Sequence, residues 1–129
     1  MPVKYLSPEW INAYNATVTA DDAVRKALKG KSAVIQMVIA DSPAGGEIRY
    51  ALRIGDGTVA VSLGDAADAE VTIRQSYETS AQLNRGELDG AKAFTQGKVK
   101  ISGKMMTMMQ LQRPLAEVQK ALDTIDTEY

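Results

Sequence analysis

Apolar residues along this chain change their period several times, and each change marks an element. Ser7-Pro8-Glu9 opens the first helix: Ser caps, Pro suits the first helical position and Glu suits the positive end of the dipole. Ile11, Tyr14 and Val18 then fall at i, i+3 and i+7. Thr19-Ala20-Asp21-Asp22 starts a second helix with Val24 and Leu28 in line, and Gly30 offers a left-handed stop near Lys29. From Ser32 the period becomes two. Ala33, Ile35, Met37 and Ile39 share one face and Val34, Gln36 and Val38 the other, which predicts a largely buried central strand.

The turn formers Asp41-Ser42-Pro43-Ala44-Gly45-Gly46 lead into a strand in which Ile48, Tyr50, Leu52 and Ile54 alternate with Glu47, Arg49, Ala51 and Arg53. Gly55-Asp56-Gly57 supplies a tight hairpin into residues 58–63, where Val59, Val61 and Leu63 share a face. Three sequential antiparallel strands are predicted, then a short fourth at Glu70-Val71-Thr72-Ile73-Arg74. Ser76 caps a helix carrying Tyr77, Ala81 and Leu83 that stops at Gly86, and Asp89 caps another carrying Ala93 and Phe94 that stops at Gly97. Residues 98–102 alternate again: Val99 and Ile101 point inward and Lys98, Lys100 and Ser102 outward, lysines that guard a sheet edge. Residues 104–124 form a last helix, which Pro114 is predicted to kink or divide.

Composition narrows the chemistry. At 129 residues, with no internal linker, the chain reads as one domain, 1–129, large enough to fold without a disulfide or metal staple. It has no His and no Cys, so the commonest general bases, thiolate nucleophiles and transition-metal ligands are missing. No metal, no cofactor and no catalysis are expected. With 15 Lys plus Arg against 16 Asp plus Glu, a net charge of −1 gives no field to draw a nucleic acid. Met1-Pro2-Val3-Lys4-Tyr5 lacks the apolar core of a secretory signal, and residues 33–40 are too few to span a bilayer, so the expected address is cytoplasmic.

Two phosphate-like motifs fail on spacing. Between Gly97 and Gly103 stand five residues where a P-loop has four, and Met105 follows Lys104 where Ser or Thr is needed. Gly30-Lys31-Ser32 has the right end, but Arg25 holds the position of the first glycine. The sequon Asn15-Ala16-Thr17 carries no weight without a signal peptide.

Two local features invite function. Met105-Met106-Thr107-Met108-Met109 holds four of the six Met, whose adaptable thioether chains suit plain core packing, the lining of a variable apolar cavity or a partner interface. Residues 91–116 contain Lys92, Lys98, Lys100, Lys104 and Arg113 with no acidic residue, which reads either as a solvated face with edge lysines or as a site for anionic headgroups.

Three segments in order, Asp68-Ala69-Glu70-Val71-Thr72-Ile73, Leu83-Asn84-Arg85-Gly86-Glu87-Leu88 and Ala93-Phe94-Thr95-Gln96-Gly97-Lys98-Val99-Lys100-Ile101-Ser102-Gly103-Lys104, resemble the sterol-carrier-protein-2-like family. The likeness runs over residues 32–129. It implies an α+β fold, a five-stranded, mainly antiparallel sheet with helices on one face and an apolar cavity between them. The strand and helix count above agrees. It places Phe94, Val99 and Ile101 beside that cavity and Met105, Met108 and Met109 over it, as the lipid-binding set. The chain departs from the family in an aromatic content of 5%, in Pro114 and in a final Asp126-Thr127-Glu128-Tyr129 that is no peroxisomal tripeptide. The implied function is non-catalytic binding, with intermembrane transfer, of an acyl chain, phospholipid or sterol-like ligand. Lys98, Lys100 and Lys104 are then the membrane-docking set on an anionic surface. The alternatives are a protein-interaction or accessory domain that uses the Met-rich helix as its interface.

Overall fold

Each predicted helix start from Ser7 to Asp89 carries its cap in the computed structural model, which describes residues 2–43 and 45–129. Met1 and Ala44, invoked above for the leader and the first turn, lie outside the described residues. Ser7 Oγ accepts from the Trp10 amide (3.2 Å) at the head of α1 (Pro8–Ala20) and Asp21 from the Val24 amide (3.0 Å) at α2 (Asp22–Leu28). Ser76 and Asp89 do the same for α3 (Tyr77–Asn84) and α4 (Gly90–Thr95). The strands are β1 (Val3–Lys4), β2 (Ala33–Ala40), β3 (Ile48–Gly55), β4 (Thr58–Leu63), β5 (Val71–Ser76), β6 (Val99–Gly103) and β7 (Thr127–Glu128), with α5 (Met105–Leu122) after β6.

Five strands form one sheet in the order β4-β3-β2-β5-β6, antiparallel throughout except for the parallel β2–β5 pair. The hairpin between β3 and β4 turns on Asp56 (φ 52°) and Gly57 (φ 76°), the two left-handed residues that match the strand twist. Register places Ile35, Leu52, Val61 and Val71 in one row across β2, β3, β4 and β5, so a single apolar face is assembled from four alternating patterns. On this face pack α1, α3 and α5, with α2 held between α1 and α5. The opposite face explains why both sides of β2 are apolar. Gln36 is buried there, donating to the Tyr50 and Gly64 carbonyls (3.2 Å each) and accepting from the Ala66 amide (2.6 Å), which ties the β4–β5 loop over Val38 and Ala51. Arg49, Arg53 and Arg74 fringe this face in exposed pairs with Glu47, Asp65 and Asp68.

One expectation is corrected, and one pairing is added to those expected. Pro114 does not divide the last helix: α5 runs unbroken for 18 residues. Its buried stripe of Leu111, Pro114, Val118, Ala121 and Leu122 keeps helical spacing on both sides of the proline, and that packing offsets the roughly 3 kcal/mol cost of an interior Pro. The pairing of β1 with β7 is absent from the sequence pattern. Val3 stands opposite Thr127 and Lys4 opposite Glu128 in a two-stranded parallel ladder, joined by Val3 N–H to Asp126 O (2.9 Å) and Tyr5 N–H to Glu128 O (2.8 Å). At the β6–α5 junction Gly103 (φ 102°) lies against β5, where a Cβ would overlap the Glu70 carbonyl oxygen. No helix among the described residues is long and apolar enough to cross a membrane.

Candidate functional site

The apolar sheet face and the helices above it do not close completely. They leave an interior cavity of about 170 Å³. Its floor is set by alternation, with Ile35 and Met37 from β2, Tyr50 and Leu52 from β3, and Ile73 and Gln75 from β5. Its roof is set by the helical period: Trp10 and Tyr14 are one turn apart on α1, and Leu115, Val118, Gln119 and Leu122 stand at i, i+3, i+4 and i+7 on α5. Tyr5, and Ser80, Leu83 and Asn84 of α3, complete the wall. A larger cleft of about 770 Å³ beside α2 is more open to solvent, and Arg25, Lys26, Lys29, Lys31 and Asp56 are among its lining residues.

Among the described residues, none that lines the interior cavity is charged. Its polar groups are neutral and partly unpaired. Tyr5 and Ser80 share a hydrogen bond of 2.5 Å between their hydroxyls. The Trp10 indole N–H and the Gln75 Oε1 are buried without a hydrogen-bond partner, on side chains 2% and 8% exposed. Burial holds the Tyr5, Tyr14 and Tyr50 phenols well above their ordinary range, with smaller contributions from one another. Each therefore stays protonated, and the wall offers the Tyr5–Ser80 pair no base to activate the serine hydroxyl.

None of the six residues assigned to lipid binding from the sequence lines this cavity. Val99 is buried and Ile101 half-buried on β6, opposite Gln75 and Ile73, and so one strand away from the wall. Phe94 is 49% exposed, because its neighbour Ala93 takes the inward position of α4. Met105 and Met109 are exposed, at 44% and 68%, and Met108 is half-buried against the core. The reason is one of position along α5, which reaches the cavity only from Leu115 onward, while the methionines occupy its first two turns. Lys98, Lys100 and Lys104 are exposed, the first just before the edge strand β6, the second on it and the third at the head of α5. What the sequence reading missed is the aromatic share of the wall: four of the seven aromatic residues, Tyr5, Trp10, Tyr14 and Tyr50, line the cavity. Trp10 and Tyr14 at i, i+4 were the available signal.

Residues 11–116 match the model of the SCP-2 sterol transfer family. Sterol carrier protein 2 of Gallus gallus is 33% identical over 79 residues, covering 61% of this chain and 14% of that protein, so the chain spans only a small part of this curated relative. A crystal structure of sterol carrier protein 2 superposes with a TM-score of 0.80 at 17% identity, covering 95% of this chain and 99% of the other. The solution structure of a conserved hypothetical protein from Thermus thermophilus, described as possibly a sterol carrier protein, gives 0.79 at 17% identity, covering 98% and 92%. At these identities the structural likeness is one of fold.

Proposed function

The chain belongs to the SCP-2 sterol transfer family, and from that premise we propose that it holds the apolar body of a lipid in the cavity between sheet and helices and performs no reaction on it. The observation that carries the reading is the uncharged pocket between sheet and helices, walled by aromatic and aliphatic side chains from α1, α3, α5 and three strands. The lack of a base beside Ser80 in that wall supports a binding role over a catalytic one. Its size sets a condition on the ligand. An engineered apolar cavity of roughly 150 Å³ holds one benzene, so a chain of many carbons enters only as the roof of α1 and α5 moves away from the floor.

The test is displacement of Nile red, a neutral apolar dye, by long-chain alcohols, acids, sterols and phospholipids. One saturable site is expected. Leu115→Phe, which fills the cavity, weakens dye binding at least fivefold, whereas Met109→Ser, on the exposed face, leaves it unchanged. Absence of saturable binding across all four classes overturns the proposal.

A second reading rests on the surface. Phe94, Met105, Met106 and Met109 are exposed apolar side chains within the acid-free run 91–116, and Met109 shares a surface cleft with Lys31 and Arg113. We propose this face, with Lys98, Lys100 and Lys104, as the contact with an anionic bilayer, the apolar tips entering the interface and the cations meeting headgroups. Its measure is binding to anionic against neutral vesicles when Lys104 is replaced.

A further inference from the structure

The two edges of the sheet are finished differently. β4 lies against α1, and Asn15 of that helix accepts from the Val61 amide (2.7 Å) and donates to the Val61 carbonyl (2.8 Å), so a side chain there occupies the groups a neighbouring strand would use. β6, at the other edge, pairs with β5 alone, and among the described residues no side chain bonds its outward backbone groups. Alternate residues of an antiparallel edge strand turn both N–H and C=O away from the neighbour, which leaves a template for one more strand. The charge at this edge is of one sign. Lys98, Lys100 and Lys104 are exposed and form no ion pair among the described residues, Lys100 stands opposite Arg74, and residues 91–116 hold no acid. Glu70, whose carbonyl accepts from the Lys104 amide (3.0 Å), adds a single acid at the far end of the ladder. From the open edge and its uncompensated lysines we infer that β6 binds an extended acidic peptide as a sixth strand of the sheet.

The partner's pattern follows from the alternation of β6. Val99 and Ile101 pack toward the core on the helix-covered face, while Lys100 and Ser102, with Lys98 in phase, lie on the other. A sixth strand continues both faces. Its carboxylates then stand beside Lys98 and Lys100 and its apolar side chains beside Val99 and Ile101, so acids and apolar residues alternate along it. Backbone pairing supplies the affinity and this alternation the selectivity. A second copy of the chain does not fit, because pairing β6 with β6 sets lysines against lysines across the join, and like charges opposite one another destabilise a pair. The same lysines belong to the bilayer contact proposed above, but headgroups present no ladder of alternating N–H and C=O groups, so a peptide alone satisfies the backbone as well as the charge.

The experiment uses the purified chain and a fluorescein-labelled heptapeptide of alternating Glu and Val, followed by anisotropy. Expected is saturable binding, with the counterpart of alternating Lys and Val at least tenfold weaker. N-methylation of every Val, or of every Glu, removes the donors along one edge of the peptide; at least one of the two methylated forms should bind tenfold more weakly than the parent. Lys100→Glu should weaken the parent at least fivefold, whereas Lys26→Glu, an equal change of charge on exposed α2, leaves it unchanged. In the complex, alternate amides of residues 99–103 should exchange with deuterium at least tenfold more slowly, and the Val61 amide, already bonded to Asn15, no more slowly than before. Equal binding of the parent and both methylated peptides overturns the inference, since charge alone then suffices. Equal losses in Lys100→Glu and Lys26→Glu overturn it too. So does an absence of saturable binding by the parent peptide; if anionic vesicles still bind, the lysines serve the bilayer alone.

Discussion

Tyr5, Tyr14 and Tyr50 give the interior a pH limit at the alkaline end. Burial raises all three phenols above their value of about 10 in an unfolded chain. A raised value means that the folded state keeps its proton longer than the unfolded state does. Their contribution is therefore complete below pH 10 and is lost as the pH climbs from there toward the folded values. Within that window each phenol removes about 1.4 kcal/mol of stability per pH unit. Chemical unfolding followed from pH 9 to 12 should show the loss, and Tyr14→Phe should shallow the slope by one group. An unchanged slope in Tyr14→Phe would mean that this phenol is not held protonated by burial. These residues also mark what was legible at this scale. Alternation identified the inward faces of Tyr50 and Ile35, and helical spacing that of Tyr14, because burial follows period. Which inward residues border a void was not legible, because a cavity is the remainder of packing between segments far apart in the sequence, and a pattern within one segment does not contain it.

α5 is the element where local rules and position part company. Its first residue follows Lys104, which makes no side-chain cap, and its first turn holds no acid to meet the positive end of the dipole. The starts of α1, α2, α3 and α4 each have a Ser or Asp cap, so Lys104 stands out as a poor local choice. Lys104→Ser should stabilise the chain by about 1 kcal/mol, a rise of roughly 3–5 °C in melting temperature for a chain of this size. If the face around Met105 and Met106 meets anionic bilayers, the same variant should bind anionic vesicles more weakly and neutral vesicles equally. Unchanged binding to anionic vesicles would leave Lys104 without a part in docking. Most helices and strands were readable because caps, turn glycines and periods agree with one another. Pro114 misled because propensity counts the lost hydrogen bond but not the burial of its ring, and the role of the Met cluster stayed open because apolar content says nothing of where along a helix the core ends.

Across the whole molecule, segments near residues 3 and 128 are clasped by β1–β7 beside the cavity. Tyr129 packs on Tyr5 with ring centroids 5.0 Å apart, receives the Arg85 guanidinium over its face at 4.8 Å and accepts a hydrogen bond from Asn84, a cavity residue. Tyr129→Ala should loosen this clasp before the sheet. The Val3 and Tyr5 amides, whose acceptors are Asp126 and Glu128, should then exchange with deuterium at least tenfold faster while those of β2 hold their protection. Parallel acceleration in β2 would show instead that the clasp opens only with global unfolding. Neither short strand was legible, since two residues have no period and their partner lies at the far side of the sequence. That separation also bears on how the chain is made. Val3 pairs with Thr127, 124 positions later, and at 5–20 residues per second the partner strand is synthesised roughly 6–25 s after the first. Throughout that interval β1 waits without its ladder, and Tyr5, which closes one end of the cavity, waits without the ring of Tyr129. The wall of the cavity is thereby completed only after all five strands of the sheet have been synthesised.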